Sequence, residues 1–214
     1  MRKTLLAAAA AAGVTALSIG ALHAQNGPRP GAIDVSAVEA GSYTADAGHS
    51  MVAWSVSHFG FNDYYGIFGD VEGTLELDPA NLSAASVDVS VPIASLIVPS
   101  EGLRQHMLQP GQDGGAPDFF GANPQPARFV STQVETTGET SANITGNLTM
   151  NGQTHPVTIA AELSGMGTNA MNQRETLGFH GTTTIQRSQF DIPFGIAFGI
   201  SDEVDLRITI AFEK

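Results

Sequence analysis

His49, His58, His106, His155 and His180 are the side chains best suited to hold a metal or move a proton, and no two of them stand at ligand spacing. There is no His-x-His and no His-Glu-x-x-His, so a metal site would have to be gathered by folding alone, and none is expected. The chain has no Cys, no Gly-x-Ser-x-Gly and no Walker loop. Gly111–Gly115 (GQDGG) is turn composition rather than a phosphate cradle. Carboxylates are plentiful, but most fall on the polar side of alternating segments, where no acid and base are paired. Catalytic residues, metal ligands and a resident cofactor are therefore all read as absent, and the chain as a non-enzyme.

The aromatic residues are more informative. Trp54, Phe59, Phe61, Tyr64, Tyr65, Phe68, Phe119, Phe120, Phe129, Phe179, Phe190, Phe194 and Phe198 serve in part as the filling of a β core. Several, however, gather in bends and Pro/Gly-rich stretches (59–68, 117–120, 190–198), where a core alone does not require them. At the mouth of a β structure such loops cover an apolar ligand. The lining read from this set, together with Val56, is Trp54, Val56, Phe59, Phe61, Tyr65, Phe68, Phe119, Phe120, Phe129, Phe179 and Phe194. Ala53 reads as a small inward position whose replacement by Trp would block the bore.

The elements that must position these residues are strands. Val52, Trp54, Val56 and His58 alternate with Met51, Ala53, Ser55, Ser57 and Phe59, and Val71, Gly73, Leu75 and Leu77 alternate with Asp70, Glu72, Thr74 and Glu76. An aromatic bend separates the two runs. Val87, Val89, Val91 and Ile93 alternate within Ser86 to Val98, interrupted by Pro92. Ser100 caps a short helix reaching Gln109, and 110–126 is a long loop anchored by Phe119 and Phe120, hence a flap over a pocket or core. Further strands are expected over Arg128 to Thr137, Asn143 to Met150, Gln153 to Leu163 and Glu175 to Arg187, with a hairpin turn at Asn151-Gly152. A loop is expected over 164–174 and an apolar Gly/Pro loop over 190–200. Glu203 to Glu213 closes the chain as its cleanest strand.

His49-Ser50, Ser57-His58-Phe59-Gly60, Gly66-Ile67-Phe68-Gly69, Asp78-Pro79, Asp118-Phe119-Phe120, Pro126 with Phe129-x-Ser131-Thr132, Gly146 to Gly152, Pro156-Val157 and Arg187-Ser188 occur in an order that resembles the YceI-like family of bacterial polyisoprenoid-binding proteins. The resemblance runs from about Gly41 to the C-terminus. It implies an extended lipocalin-like barrel and an isoprenoid-type ligand, and it draws attention to His49 and His58, which match family motif positions. Gln189-Phe190-Asp191-Ile192 after Arg-Ser, and the long Gly/Pro-rich loop at 110–117, depart from the family pattern.

Taken on its own, the alternation predicts an all-β fold of about eight antiparallel strands with one or two short helices. Runs of ten or more residues favour closure into a barrel, since long apolar-faced strands otherwise leave long edges. Eight strands enclose just enough room for one small ligand.

Residues 1–24 have the charge pattern of a secretory signal peptide, with Arg2 and Lys3 ahead of an Ala/Leu-rich stretch. With the absence of Cys, this suggests a bacterial periplasm. Residues 25–40 read as a flexible lead-in and 41–214 as the barrel domain. The formal charge is −12, and loss of 1–24 removes Arg2 and Lys3 but no carboxylate, leaving −14. Such a surface argues against nucleic acid and against anionic headgroups, and no stable membrane insertion is expected after cleavage. A homodimer is the candidate assembly.

Charge also bears on the ligand. A pyrophosphate head needs charge-assisted donors, and the candidates are Arg104, Arg128, Arg174, Arg187 and Arg207. A neutral head, as on an isoprenoid quinone, does not, and the chain's acidity favours it. His49, His58, Arg104 and Arg187 are the candidate head contacts, while Arg187 reads equally as a structural group near the barrel end. The expected function is to bind and shield an isoprenoid quinone or polyprenyl compound for periplasmic transport or storage. The rival is a non-enzymatic structural or stress-related module whose barrel is filled by its own side chains and whose acidic exterior meets a partner protein.

Overall fold

Strands with one dry face, paired antiparallel in chain order, roll up until the first meets the last. The computed structural model describes residues 30–214 and contains β1 (Gly41–Ala45), β2 (Met51–His58), β3 (Asn62–Phe68), β4 (Glu72–Leu77), β5 (Ser86–Val91), α1 (Glu101–Met107), β6 (Ala127–Thr136), β7 (Ser141–Met150), β8 (Gln153–Thr168), β9 (Glu175–Gln186) and β10 (Glu203–Glu213). The signal-peptide reading lies outside the described residues. Hydrogen-bonded neighbours run β1-β4-β5-β6-β7-β8-β9-β10, and β10 returns to β1 at Thr44–Glu213 and Ala45–Phe212. The result is a closed, eight-stranded, antiparallel, lipocalin-like barrel.

Ten strands fill eight positions because the first two long strands are bent. Between β1 and β2 the Asp46 carboxylate accepts from Gly48 N–H at 3.1 Å, and the buried Ser50 hydroxyl accepts from Ala211 N–H at 3.1 Å. Between β3 and β4, Asp70 takes a left-handed φ of 54°, and the Ser95 hydroxyl sits 3.0 Å from Gly69 N and 2.6 Å from the Pro92 carbonyl. Beyond its bend the β2–β3 hairpin rides on β10, from Thr209–Met51 to Asp205–Ser55. The other edge of β3 is tied by one bridge, Ile67–Ile97. The opening this leaves in the wall is where residues 92–126 pack.

β5 stops at Val91, since Pro92, with no N–H to give the ladder, ends the regular pairing as its place in the run implies. Two expectations are corrected. The aromatic bend is confined to 59–61, since Tyr64 and Tyr65 lie inside β3. β8 continues past Leu163 to Thr168 through a bulge, and Ala32 pairs with Met166 beside that extension. Residues 31–40, read above as a flexible lead-in, thus run along the barrel, with Lys214 Nζ 3.1 Å from Glu39.

The two ends differ. The β2–β3, β5–β6, β7–β8 and β9–β10 connections gather at one end, here called proximal, and two of them, 92–126 and 187–202, are long. The distal end carries the shorter connections 78–85, 137–140 and 169–174. Apolar side chains form one cluster at each end: Trp54, Phe68, Met107, Ile185 and Phe190 with their neighbours proximally, and Tyr43, Leu75, Met166, Leu177 and Phe212 distally.

Candidate functional site

The proximal half of the bore holds a cavity of about 420 Å³. Its walls are inward rows of the strands: Val52, Trp54, Val56 and His58 from β2, Leu148 and Met150 from β7, Val157 and Ile159 from β8, and Val204, Leu206, Ile208 and Ile210 from β10. The space stays open because two large rings lie flat on the wall. Trp54 is paired with Gly66 across β2–β3, and a Cβ at Gly66 would fall inside its indole. Phe129 lies against Gly146 in the same way, its ring 2.5 Å from where a Cβ would be. Any larger residue at either glycine pushes a ring into the bore.

Two segments cover this cavity. Ser100 caps α1, its hydroxyl accepting from Leu103 N–H at 3.2 Å, and the helix presents Leu103 and Met107 inward. Phe119 and Phe120 follow in the flap, Phe120 edge-on to Phe68 at 5.9 Å. His106 Nε2 lies 2.7 Å from the Asp118 carboxylate and ties the helix to the flap, with its ring against Phe119 and Phe194. The second cover, 187–202, contributes Ile192, Phe194 and Ile200. The Asn151 amide, at the tip of the β7–β8 hairpin, donates to the carbonyls of Phe119 at 3.3 Å and Phe190 at 3.2 Å, so one side chain holds both covers.

Arg187 organises the second cover. Its buried guanidinium donates to the carbonyls of Ser201 at 2.8 Å, Ile192 at 2.7 Å, Phe194 at 2.7 Å and Ile200 at 3.3 Å. Burial lowers its pKa below the ordinary arginine value, and the Asp202 carboxylate opposes that shift. Three other arginines are engaged elsewhere. Arg104 gives its Nε–H to the Leu96 carbonyl at 3.0 Å, Arg128 pairs with Asp88 on the outer face, and Arg174 pairs with Glu213 at the distal end. Among the described residues Arg187 is the one arginine that lines the cavity, and four of its five N–H groups go to backbone carbonyls. The remaining polar lining is His58, Tyr64 and Thr183, and the indole N–H of Trp54 is buried without an acceptor.

Of the residues read from the sequence, Trp54, Val56, Phe68, Phe119, Phe120, Phe129, Phe194, His58 and Arg187 are brought together at this cavity. Phe59, Phe61 and Tyr65 are not: they are 43%, 88% and 60% exposed and point away from the bore. Tyr65 does so because inward positions on β3 are Tyr64, Gly66 and Phe68, and a period of two leaves no alternative. Phe179 lines a different, distal space. His49 stands outside, paired with Asp46 at 2.7 Å and 80% exposed at its side chain, and Arg104 lies off the lining. Ala53 faces outward with Met51 and Ser55, so it is not the small inward position expected. Leu148, Ile185 and Leu206 are legible as alternating residues of their strands, whereas Tyr64 reads as part of the aromatic bend and lies on β3. Asn151 carried only a turn signal. Among the described residues no cluster of three or more His, Cys, Asp or Glu could hold a metal, and no helix is long and apolar enough to cross a membrane.

The family model of the YceI-like domain matches residues 43–212. A UPF0312 protein of Ectopseudomonas mendocina is 36% identical over 163 residues, covering 76% of this chain and 81% of its own length. Among solved structures, Burkholderia cenocepacia BcnA superposes with a TM-score of 0.63 at 23% identity, covering 78% of this chain and 98% of its own. A polyisoprenoid binding domain from Saccharophagus degradans, implicated in plant cell wall breakdown, superposes with a TM-score of 0.56 at 11% identity over 80% of this chain and 97% of its own. At those identities the two structures speak to the fold.

Proposed function

The chain belongs to the YceI-like family, and on that premise we propose that its proximal cavity binds and shields the hydrocarbon chain of an isoprenoid-type lipid with an uncharged head, such as an isoprenoid quinone. The observation that carries this reading is an almost wholly apolar cavity in which the lining Arg187 gives four of its five N–H groups to backbone carbonyls. Burial of apolar chain at about 25 cal/mol per Å² supplies the affinity. A pyrophosphate, by contrast, would have to strip Arg187 from the cover it holds together. The name of the Saccharophagus domain agrees with the ligand class. The protein acts as a non-enzymatic carrier or store, and the Arg2-Lys3 leader with its apolar stretch supports work in the periplasm.

Mass spectrometry of protein purified from its own cell envelope, native and then after organic extraction, tests this. A stoichiometric neutral prenyl lipid in the extract is expected. A protein of apo mass that also takes up no added quinone overturns the reading in favour of a barrel that serves as an interaction module.

A further inference from the structure

The two most exposed phenylalanines among the described residues stand on adjoining turns at the proximal end: Phe61, 88% exposed, and Phe198, 79% exposed. Phe61 follows the tip of the β2–β3 hairpin, where Phe59 and Gly60 take left-handed φ of 57° and 73°. That conformation suits Asn, Asp or Gly, and a phenylalanine at 59 costs backbone energy that a hairpin alone does not require. Phe198 ends a short turn, Ile196–Phe198, set between Gly195 and Gly199, both left-handed. The two turns are clamped together. Phe59 N–H donates to the Gly199 carbonyl at 3.1 Å, Ser201 N–H donates to the Ser57 carbonyl at 2.9 Å, and His58 bridges to Ile200.

This face is also without formal charge. Residues 58–62 and 192–201 hold no Lys, Arg, Asp or Glu, in a chain of net charge −12. The carboxylates flanking the second stretch have partners of their own. Asp191 accepts from the Gln153 amide at 2.7 Å, and Asp202 accepts from Ser188 N–H at 2.8 Å and from the Ser188 hydroxyl at 2.7 Å. The face is continuous with the proximal cavity, because Ile192, Phe194 and Ile200 of the same stretch line it.

We propose that this aromatic face docks the barrel on a zwitterionic lipid bilayer, with Phe59, Phe61 and Phe198 seated at the headgroup boundary, so that a prenyl chain passes between bilayer and cavity without crossing water. This rests on the lipid-binding reading above. Apolar rings on uncharged turns gain by entering the boundary layer. An anionic surface repels the acidic body of the protein, and the face brings no Lys or Arg to offset that. The bilayer is where a water-insoluble prenyl lipid resides, so the cover that lines the cavity on its inner side meets the ligand's source on its outer side.

The test uses vesicles of phosphatidylethanolamine and phosphatidylcholine, with and without phosphatidylglycerol. The protein is purified from its own cell envelope, as the parent and with Phe61→Ser and Phe198→Ser combined. Flotation should recover the parent with zwitterionic vesicles, less of it as phosphatidylglycerol rises, and about tenfold less of the double variant. The chain has no Cys, so Phe61→Cys and Ser83→Cys can each carry a polarity-sensitive dye. Vesicles should shift emission to the blue at position 61 and leave it unchanged at position 83, in the distal turn Leu82–Ala84. Uptake of an isoprenoid quinone from vesicles should slow about tenfold in the double variant, while uptake from detergent solution equals the parent's and shows that the cavity is intact. Equal flotation of parent and double variant, or the same dye response at both positions, would overturn the docking face and leave the lipid-binding reading intact. So would conversion of a parent dimer to monomer by the two substitutions, which would give the face to a second copy. Failure of the parent to take up quinone from detergent or from vesicles would overturn the lipid-binding reading and, with it, the passage proposed here.

Discussion

The proximal and distal ends of this barrel are closed in opposite ways. Proximally, two long segments of apolar residues lie over the cavity, held by the Asn151 amide, the His106–Asp118 pair and one buried arginine whose hydrogen bonds go to carbonyls. Distally, short turns are locked by charge. The Glu213 carboxylate accepts from Asn169 at 3.0 Å, Asn172 at 2.9 Å and Arg174 at 3.2 Å, while the Tyr43 hydroxyl, its pKa raised by burial and then by Glu175, reaches the Glu39 carbonyl at 2.7 Å and the Glu175 carboxylate at 2.9 Å. Covers of the first kind come away at modest cost because their apolar surface can be handed to a ligand. A charged network is costly to open partway, since each freed group is left buried and unpaired. The contrast assigns access to the proximal end and rigidity to the distal one.

The harshest way to break the contrast is Arg187→Met, which leaves four carbonyls of one cover without a donor. At about 1 kcal/mol for each of the four lost bonds the loss is about 4 kcal/mol, and thermal denaturation should show a midpoint lower by roughly 12 °C with bound lipid released. An unchanged midpoint would mean that the second cover is held by something else.

Glu213→Gln probes the other end. Hydrogen bonds from Asn172, then Asn169, with the charge of Arg174, hold this carboxyl below its ordinary pKa of 4.5. A depressed folded-state pKa contributes stability that is present above the unfolded value and is lost as pH falls through the folded one. The variant should therefore be about 2 kcal/mol less stable than the parent at pH 7 in urea unfolding. That gap should shrink once the pH drops below about 4.5, and lipid release at pH 7 should be unaltered.

Asn151→Ala should cost about 1 kcal/mol and, more tellingly, speed lipid exchange into acceptor vesicles several-fold. Equal exchange rates for this variant and the parent would remove the hairpin tip as the tie between the covers. The smallest effect is expected for Asp88→Asn. Its pair with Arg128 lies on the outer wall at 2.5 Å, exposed on both sides, so urea unfolding should move by no more than about 0.5 kcal/mol and loading not at all.

Much of the barrel was legible because alternation is a local signal. Val204 to Phe212 dictates the face of β10, Asn151-Gly152 dictates a hairpin with positive φ at both residues, and Ser100 dictates where α1 begins. The breaks were not legible. Nothing in Asp46 to Ser50 states that a strand will bend there, since the bend depends on Ser50 reaching Ala211 from the far end of the chain. The same limit governs the site. Trp54, Val56 and Phe68 follow from the parity of their strands, and Phe119 and Phe120 from being the apolar anchors of a polar loop. Phe61 and Tyr65 mislead because an aromatic residue near a turn reads alike whether it faces the bore or the solvent. Arg187 reads alike as head donor and as structural group, because its four carbonyl partners lie five to fourteen residues further along a loop whose path only the fold fixes.

Trp54 is the sole tryptophan of the chain and stands in the wall of the proximal cavity, so its fluorescence reports directly on what fills that space. The most direct test of the central claim is a titration of delipidated protein with an isoprenoid quinone, following Trp54 emission in the parent and in Val157→Phe, whose new ring occupies the same cavity. The account predicts saturable quenching at one quinone per chain in the parent and its loss in the variant. Quenching that stays linear in quinone and is the same in both proteins would contradict it.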